Sequence, residues 1–246
     1  MQNLRFDTSL IIESCRVIII YLTHKLFPFS GTYPYVTSSS CSIGGVCIGL
    51  GLAPKHIDEV YGVCMAYTVR LSNGIFPTEL KGEYGEYLLS RGEEICGTDG
   101  DFRRCGWLDL VILKHTHMVN GYTALCLTKL DVLDELPAIK VATAYEQDGV
   151  ELKNFPASID MMDNIKVQYE TLPGWRGHPI SLCRTFDSLP ENARNYVHFI
   201  ANFVGVPGTQ FFSFNLCSYF PPLHSKMDWC RQRSNGYDTR LLELIY

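Results

Sequence analysis

A lysine and a carboxylate two residues apart form the most specific chemical feature of this sequence. Lys129 and Asp131 follow the apolar run 124–128, Ala-Leu-Cys-Leu-Thr. A carboxylate held at the end of a strand accepts hydrogen bonds from the N1–H and the exocyclic amine of guanine, whereas adenine presents the wrong pattern. The lysine stem can lie along the flat face of the base. The pair predicts a guanine-binding element, although the same spacing is also common on surface turns.

A glycine-containing segment with two adjacent arginines precedes this element. Residues 97–104 run Gly-Thr-Asp-Gly-Asp-Phe-Arg-Arg. The glycines let a ligand approach the backbone closely, and Arg103 and Arg104 offer fork-shaped donors to a carboxylate or phosphate. Asp99 and Asp101 would repel such an anion. Two interpretations stay open: an anion-binding loop, or a solvated turn with a surface arginine pair.

A hydroxyl-rich segment lies earlier in the chain. Residues 31–40, Gly-Thr-Tyr-Pro-Tyr-Val-Thr-Ser-Ser-Ser, precede Gly44 and Gly45. Hydroxyls before a glycine-containing helix start can donate to phosphate oxygens, but the same pattern is typical of an ordinary helix cap. The sequence contains no Gly-Lys dipeptide, and this excludes a Walker-type phosphate loop within it.

The elements that must position these residues alternate between strands and helices. Residues 60–70, 124–128 and 139–145 are predicted strands. Helices are predicted at 79–91, at 106–118 with Leu108, Val111, Ile112 and His115 on one face, and after Ser188, which is expected to cap the last helix. That helix carries an apolar stripe and ends at Gly205; the stripe comprises Ala193, Tyr196, Val197, Ile200 and Val204. This alternation predicts an α/β fold whose sheet contains at least some parallel strands, with crossover helices flanking it.

Composition and charge exclude several classes of function. The net charge of −5 argues against a broad nucleic-acid surface. The apolar run 17–22 is far shorter than the roughly 18 residues that a membrane span needs. None of the ten cysteines forms a Cys-x-x-Cys pair, so buried reduced thiols are expected rather than a zinc site. Three zones are predicted: an atypical N-terminal segment (1–30, a buried strand or unordered), an α/β domain (31–208) and an atypical tail (209–246).

Six segments in a fixed order are similar to a known enzyme family. They are GTYPYVTSSSCSIGGV, AYTVR, GIFPTE, RRCGWLDLV, LTKLDVLD and YETLPGW. From about residue 31 to 207 the chain resembles the C-terminal portion of adenylosuccinate synthetase. The resemblance implies GTP-dependent ligation of inosine monophosphate and L-aspartate to adenylosuccinate in AMP biosynthesis, with Mg²⁺. It also implies a cytoplasmic homodimer built on a large, mostly parallel sheet that is truncated here.

The resemblance also implies roles for individual residues. Thr37 matches a hydroxyl on the phosphate of inosine monophosphate, and Arg70 and Leu71 follow a strand near its ribose. Thr98 matches a threonine of the loop that closes over aspartate. These roles are expected from the family resemblance alone.

Two further matches concern the charged residues. Arg103 matches an arginine of the aspartate loop and is also assigned to GTP. Lys129 and Asp131 match the pair that contacts guanine, in agreement with the hydrogen-bond argument above.

The sequence departs from the family in several places, two of which bear directly on activity. Asp101 stands where the family loop Thr-Thr-Gly-Arg has its arginine, which reverses a charge beside a carboxylate ligand. The family's N-terminal phosphate loop, with its Mg²⁺-binding aspartate and catalytic histidine, has no counterpart, so no catalytic residue and no metal ligand is assigned. We therefore expect little activity from the chain alone. The alternatives are a non-catalytic guanine-nucleotide-binding or dimer-interacting remnant, and an incomplete gene model. Poor solubility is expected unless residues 1–26 replace a lost strand.

Overall fold

The computed structural model describes residues 9–12, 17–21, 42–70, 74–94, 103–156, 159–162, 164–183, 185–206 and 208–211. The strands are β1 (Ser9–Ile12), β2 (Val17–Tyr21), β3 (Glu59–Met65), β4 (Thr68–Arg70), β5 (Arg104–Gly106), β6 (Leu108–Asp109), β7 (Ala124–Thr128), β8 (Ala138–Gln147), β9 (Val150–Leu152), β10 (Lys166–Pro173) and β11 (Gly208–Phe211). The helices are α1 (Ile43–Leu50), α2 (Glu83–Arg91), α3 (Leu110–Asn120) and α4 (Glu191–Val204), with short 3-10 helices at Pro54–His56, Leu130–Leu133, Ile159–Met162, Ile180–Leu182 and Phe186–Ser188.

The central sheet has five strands in the order β1-β2-β3-β7-β11. The β2–β3, β3–β7 and β7–β11 pairs are parallel, and β1–β2 is antiparallel. The first four residues of β7 are buried, as expected for a parallel strand covered on both faces. The predicted α/β fold with a mostly parallel sheet is confirmed.

The N-terminal segment contributes two strands to this sheet. Val17–Tyr21 pairs in parallel with β3 over the register Val17↔Glu59 to Tyr21↔Val63. Of the two interpretations of residues 1–30, a strand or an unordered run, the structure shows a strand here. β2 therefore occupies the edge of β3 that would otherwise be open.

A second sheet and a short two-stranded sheet complete the framework. In the second sheet β8 pairs with β10, β9 and β6, of which only β6 is parallel. The two-stranded sheet pairs β4 with β5 in antiparallel orientation, with α2 between them in the chain. The predicted strand 60–70 is thus two strands, β3 and β4, in different sheets, because the chain leaves the central sheet after Met65.

Helix α3 begins later than predicted because Asp109 caps it. The Asp109 carboxylate accepts from the backbone N–H groups of Val111 (3.1 Å) and Ile112 (3.2 Å). The predicted face was also wrong in part, since Leu108 lies in β6 and the buried face consists of Leu110, Leu113, Thr116 and Asn120. The predicted helix 79–91 likewise begins only at Glu83.

Helix α4 matches its predicted stripe but not its predicted cap. All five stripe residues, Ala193, Tyr196, Val197, Ile200 and Val204, are buried. Gly205 ends the helix in a left-handed conformation (φ 84°). Ser188 does not cap α4; its hydroxyl instead pairs with the backbone of Thr185 around the preceding 3-10 helix.

Two further sequence expectations concern cysteines and membranes. The described cysteines, Cys47, Cys64, Cys105, Cys126 and Cys183, are free thiols. Cys64 and Cys126 are buried as predicted, and Cys47 is half-buried. In the described parts of the chain, no helix combines the length and apolar character that a membrane crossing requires.

Candidate functional site

The candidate site lies at the carboxyl ends of β3 and β7, two neighbouring parallel strands. Met65 and Thr128 are register partners, and the Ala66 N–H donates to the Thr128 carbonyl at 2.9 Å. The chain therefore delivers Tyr67 and Lys129 to the same edge of the sheet. In open α/β sheets, ligands bind outside the carboxyl ends of the strands.

A buried carboxylate joins the side chains at this edge. Glu94 lies just after α2 and is fully buried. Its Oε1 atom accepts hydrogen bonds from the Tyr67 hydroxyl (2.8 Å) and from Lys129 Nζ (2.5 Å). Its Oε2 accepts from Arg103 Nη1 at 2.6 Å. The structure thus brings together two residues that the sequence assigned to different ligands, Arg103 and Lys129.

The electrostatics of this cluster favour an ionised Glu94. Burial by itself would raise the pKa of Glu94, but the hydrogen bonds from Lys129 and Arg103 outweigh burial and hold the pKa below its ordinary value. Burial and the neighbouring Glu94 charge raise the pKa of Tyr67, so its hydroxyl keeps its proton and serves as a donor. The cluster is therefore a buried anion with two cationic partners.

Lys129 is held at both ends. Its backbone adopts a left-handed conformation (φ 56°), which ends β7 and leads into the 3-10 helix Leu130–Leu133. Its ammonium donates to the Gly92 carbonyl (2.7 Å) in addition to Glu94. The aliphatic stem between these anchors consequently has little freedom.

The 3-10 helix that carries Asp131 is fixed by buried neighbours. Leu130 and Leu133 are fully buried, and the Tyr87 hydroxyl donates to the Val132 carbonyl at 2.8 Å. Asp134, which follows this helix, accepts from Trp175 Nε1 at 2.7 Å. These contacts fix the backbone on either side of Asp131.

Asp131 itself carries an acceptor without a partner. Its Oδ1 atom is buried and accepts no hydrogen bond in the described part of the chain. Buried polar atoms are nearly always paired, so such an oxygen is a place where a ligand donor fits. The Asp131 charge also contributes to the raised pKa of Tyr67, after burial and the Glu94 charge.

The adjacent arginines have different partners. Arg104 forms a two-pronged ion pair with Glu79 (2.7 and 2.6 Å) and donates to the Gly74 carbonyl at 2.7 Å. Its guanidinium also lies over the Phe76 ring. Arg104 therefore anchors the segment before α2, whereas only Arg103 contacts Glu94.

Arg70 is almost completely buried at the end of β4. Its exposed fraction is 2%, and its Nη1 donates to the Ile75 carbonyl at 2.5 Å. The nucleotide role of Arg70 stays a prediction. The other predicted residues, Thr37, Leu71 and Thr98, lie outside the described residues, as do Asp99 and Asp101.

Sequence reasoning missed Glu94 and Tyr67, the residues that connect the site. The available signal was weak: Glu94 directly precedes the apolar pair Ile95-Cys96, a context in which a carboxylate tends to be buried and to need a cation. Spacing along the chain gave no indication that Lys129 would be that cation.

No cluster of metal-ligating side chains is present among the described residues. Within the ranges that the structure describes, no three His, Cys, Asp or Glu side chains converge as metal ligands. Mg²⁺ needs oxygen ligands in near-octahedral geometry, so we assign it no ligand among these residues.

Comparisons with known proteins agree on one family. A profile of the adenylosuccinate synthetase family matches residues 26–213. The structure of fully ligated adenylosuccinate synthetase from Plasmodium falciparum is similar, with a TM-score of 0.70 and 38% identity. That similarity covers 74% of this chain and 43% of the Plasmodium chain. A succinoaminodeoxyadenylate synthetase from cyanophage S-2L is 18% identical over 44% of this chain and 34% of its own, and its TM-score of 0.38 is too low to bear on fold or function.

Proposed function

This chain belongs to the adenylosuccinate synthetase family, and from that membership we propose that it carries the guanine-recognition part of a GTP-dependent ligase. The reaction joins inosine monophosphate and L-aspartate to give adenylosuccinate, a step of AMP biosynthesis. The observation that carries the proposal is the buried, unpartnered Oδ1 of Asp131 beside a fixed Lys129. We further propose that residues 31–208 form the synthetase-like part, in a cytoplasmic homodimer.

The geometry suits a guanine base in the following way. The Asp131 carboxylate accepts the N1–H and the exocyclic amine of guanine, a charge-assisted pair of hydrogen bonds. The stem of Lys129, held between its backbone and Glu94, packs along the base. Adenine offers an acceptor at N1, which the carboxylate repels, so the site discriminates between the two purines.

The remaining roles are assigned from the family. Arg103, a quarter exposed beside Glu94, would contribute to aspartate and GTP binding. Arg70 and Leu71 would lie near the ribose of inosine monophosphate, and Thr37 near its phosphate. Thr98 would belong to the aspartate loop. Mg²⁺ would neutralise phosphate charge during the transfer, and no ligand for it is assigned here.

Isothermal titration calorimetry with GTP and ATP tests the proposal. We expect GTP to bind measurably more tightly than ATP, with both affinities weakened if phosphate contacts are few. Equal affinity for the two nucleotides, or no binding of either one, would contradict guanine recognition by this chain.

A second candidate is a guanine-nucleotide-binding protein without ligase activity. It is favoured by Asp101, which stands where the family has an arginine. Reversing the charge opposite a carboxylate substrate costs more than the about 2 to 5 kcal/mol of removing one partner from a buried charge pair. Adenylosuccinate formation, followed by absorbance, distinguishes the two. Turnover by the unaltered chain would exclude this candidate, and selective GTP binding without turnover would support it.

A further inference from the structure

None of the family matches described above assigns a role to the Glu94 carboxylate. It lies outside the Lys129–Asp131 pair in sequence, yet it receives donors from three separate segments: Tyr67 after β3, Arg103 before β5 and Lys129 after β7. A fully buried carboxylate is costly unless it is paired, so these contacts depend on one another.

Because Lys129 pairs with Glu94, it is not paired with Asp131, its near neighbour in sequence. Lys129 is two residues from Asp131 and would be a natural partner for its charge. Its ammonium instead donates to Glu94 and to the Gly92 carbonyl. The Oδ1 atom of Asp131 stays buried and unpartnered in the described part of the chain.

We propose that Glu94 is a positioning residue that holds the Lys129 ammonium away from Asp131 and so keeps the Asp131 carboxylate available for guanine. The inference rests on the proposed function, because it assumes that Asp131 is the guanine acceptor. Without Glu94, the ammonium can pair with Asp131, and a guanine base must then displace it. The same contact holds the lysine stem in place as one wall of the base site.

The principal test substitutes Glu94→Gln, which keeps the shape of the side chain and removes its charge. Calorimetry should show about a tenfold loss of GTP affinity, the effect expected when one charged hydrogen bond competes with another, and little change for ATP. Glu79→Gln is the matched control, because it makes the same chemical change at the partner of Arg104, away from Lys129. That control should leave the ratio of GTP to ATP affinity within about twofold of the unaltered chain.

A double variant separates positioning from simple structural damage. In Glu94→Gln with Lys129→Met, the ammonium that would compete for Asp131 is gone while an apolar stem remains. GTP affinity should therefore recover relative to Glu94→Gln alone. A structural role would give a double variant that binds no better than the single one, and that result would overturn the proposal.

A milder variant keeps the proposal testable if Glu94→Gln does not fold. Tyr67→Phe removes one donor to Glu94 and changes no charge, and it should lower GTP affinity about threefold with ATP unaffected. Unchanged GTP affinity in the variant that folds would contradict the role of Glu94. If the unaltered chain shows no preference for GTP, the guanine site itself is wrong and this inference falls with it. A preference for GTP that Glu94→Gln leaves unchanged removes the inference alone.

Discussion

Replacing Asp131 by asparagine should change which purine the site accepts. The carboxylate presents two acceptors, whereas the amide presents one acceptor and one NH₂ donor. In guanine the exocyclic amine would then face another donor. In xanthine the corresponding group is a carbonyl oxygen, which the new NH₂ can contact. Asp131→Asn should therefore weaken GTP binding and favour xanthosine triphosphate.

The size of the effect follows from the environment of the carboxylate. Oδ1 is buried and has no other partner in the described residues, so a lost ligand bond is not replaced from within that part of the protein. A hydrogen bond to a charged group contributes about 1.5 to 3 kcal/mol. In Asp131→Asn one such bond is lost and the new NH₂ faces the amine of guanine. Together these changes should weaken GTP binding by about 3 kcal/mol, or raise its Kd roughly a hundredfold.

The assay is a calorimetric series with GTP, inosine triphosphate and xanthosine triphosphate. Inosine triphosphate lacks the exocyclic amine, so with the unaltered chain it should bind between GTP and ATP. Asp148→Asn is a suitable control, because Asp148 is exposed at the turn before β9 and asparagine tolerates its positive φ of 52°. An Asp131→Asn protein that is folded and still binds GTP as tightly as the unaltered chain would contradict the role of Asp131 as the guanine acceptor.

Three other predictions concern stability. Burial raises the pKa of Asp109 to about 6, against 3.8 as the ordinary value, so the folded protein retains a proton that the unfolded chain releases. Between pH ~4 and 6 the free energy of unfolding should therefore fall as pH rises, by up to about 3 kcal/mol from this group. Urea titrations over this pH range should show that the fall is smaller by this amount in Asp109→Asn. Gly92→Ala would place a Cβ 2.2 Å from the Tyr67 hydroxyl, so it should lower the melting temperature and GTP affinity together; an unchanged melting temperature would argue against this close approach. Ile19→Pro removes a backbone donor from β2, an inner strand, and light scattering should reveal aggregation as β3 loses its neighbour; a variant as soluble as the unaltered chain would contradict the pairing.

The sequence was most informative where local periodicity and burial coincide. The stripe of α4 repeats at helical spacing and is buried along its whole length, so pattern and packing agree. Residues 124–127 are all apolar because β7 lies between two parallel neighbours. Lys129 could be placed just beyond that strand for the same reason.

The sequence was least informative where a contact joins distant segments. Ser188 has the composition of a helix cap, but its hydroxyl bonds to Thr185, since residue type alone does not decide between competing backbone partners. Glu94 follows α2 and Lys129 follows β7, so these two residues, 35 positions apart, meet only through tertiary packing. No spacing along the chain encodes that meeting.

The most direct test of guanine recognition is a site-resolved one. We would titrate the ¹⁵N-labelled chain with GTP and, separately, with ATP, and follow the backbone amide signals by NMR. With GTP we expect shifts clustered at residues 129–133 and around Glu94, and with ATP much smaller shifts there. Shifts of equal size with both nucleotides at these residues, or shifts with GTP confined to other parts of the chain, would contradict guanine recognition.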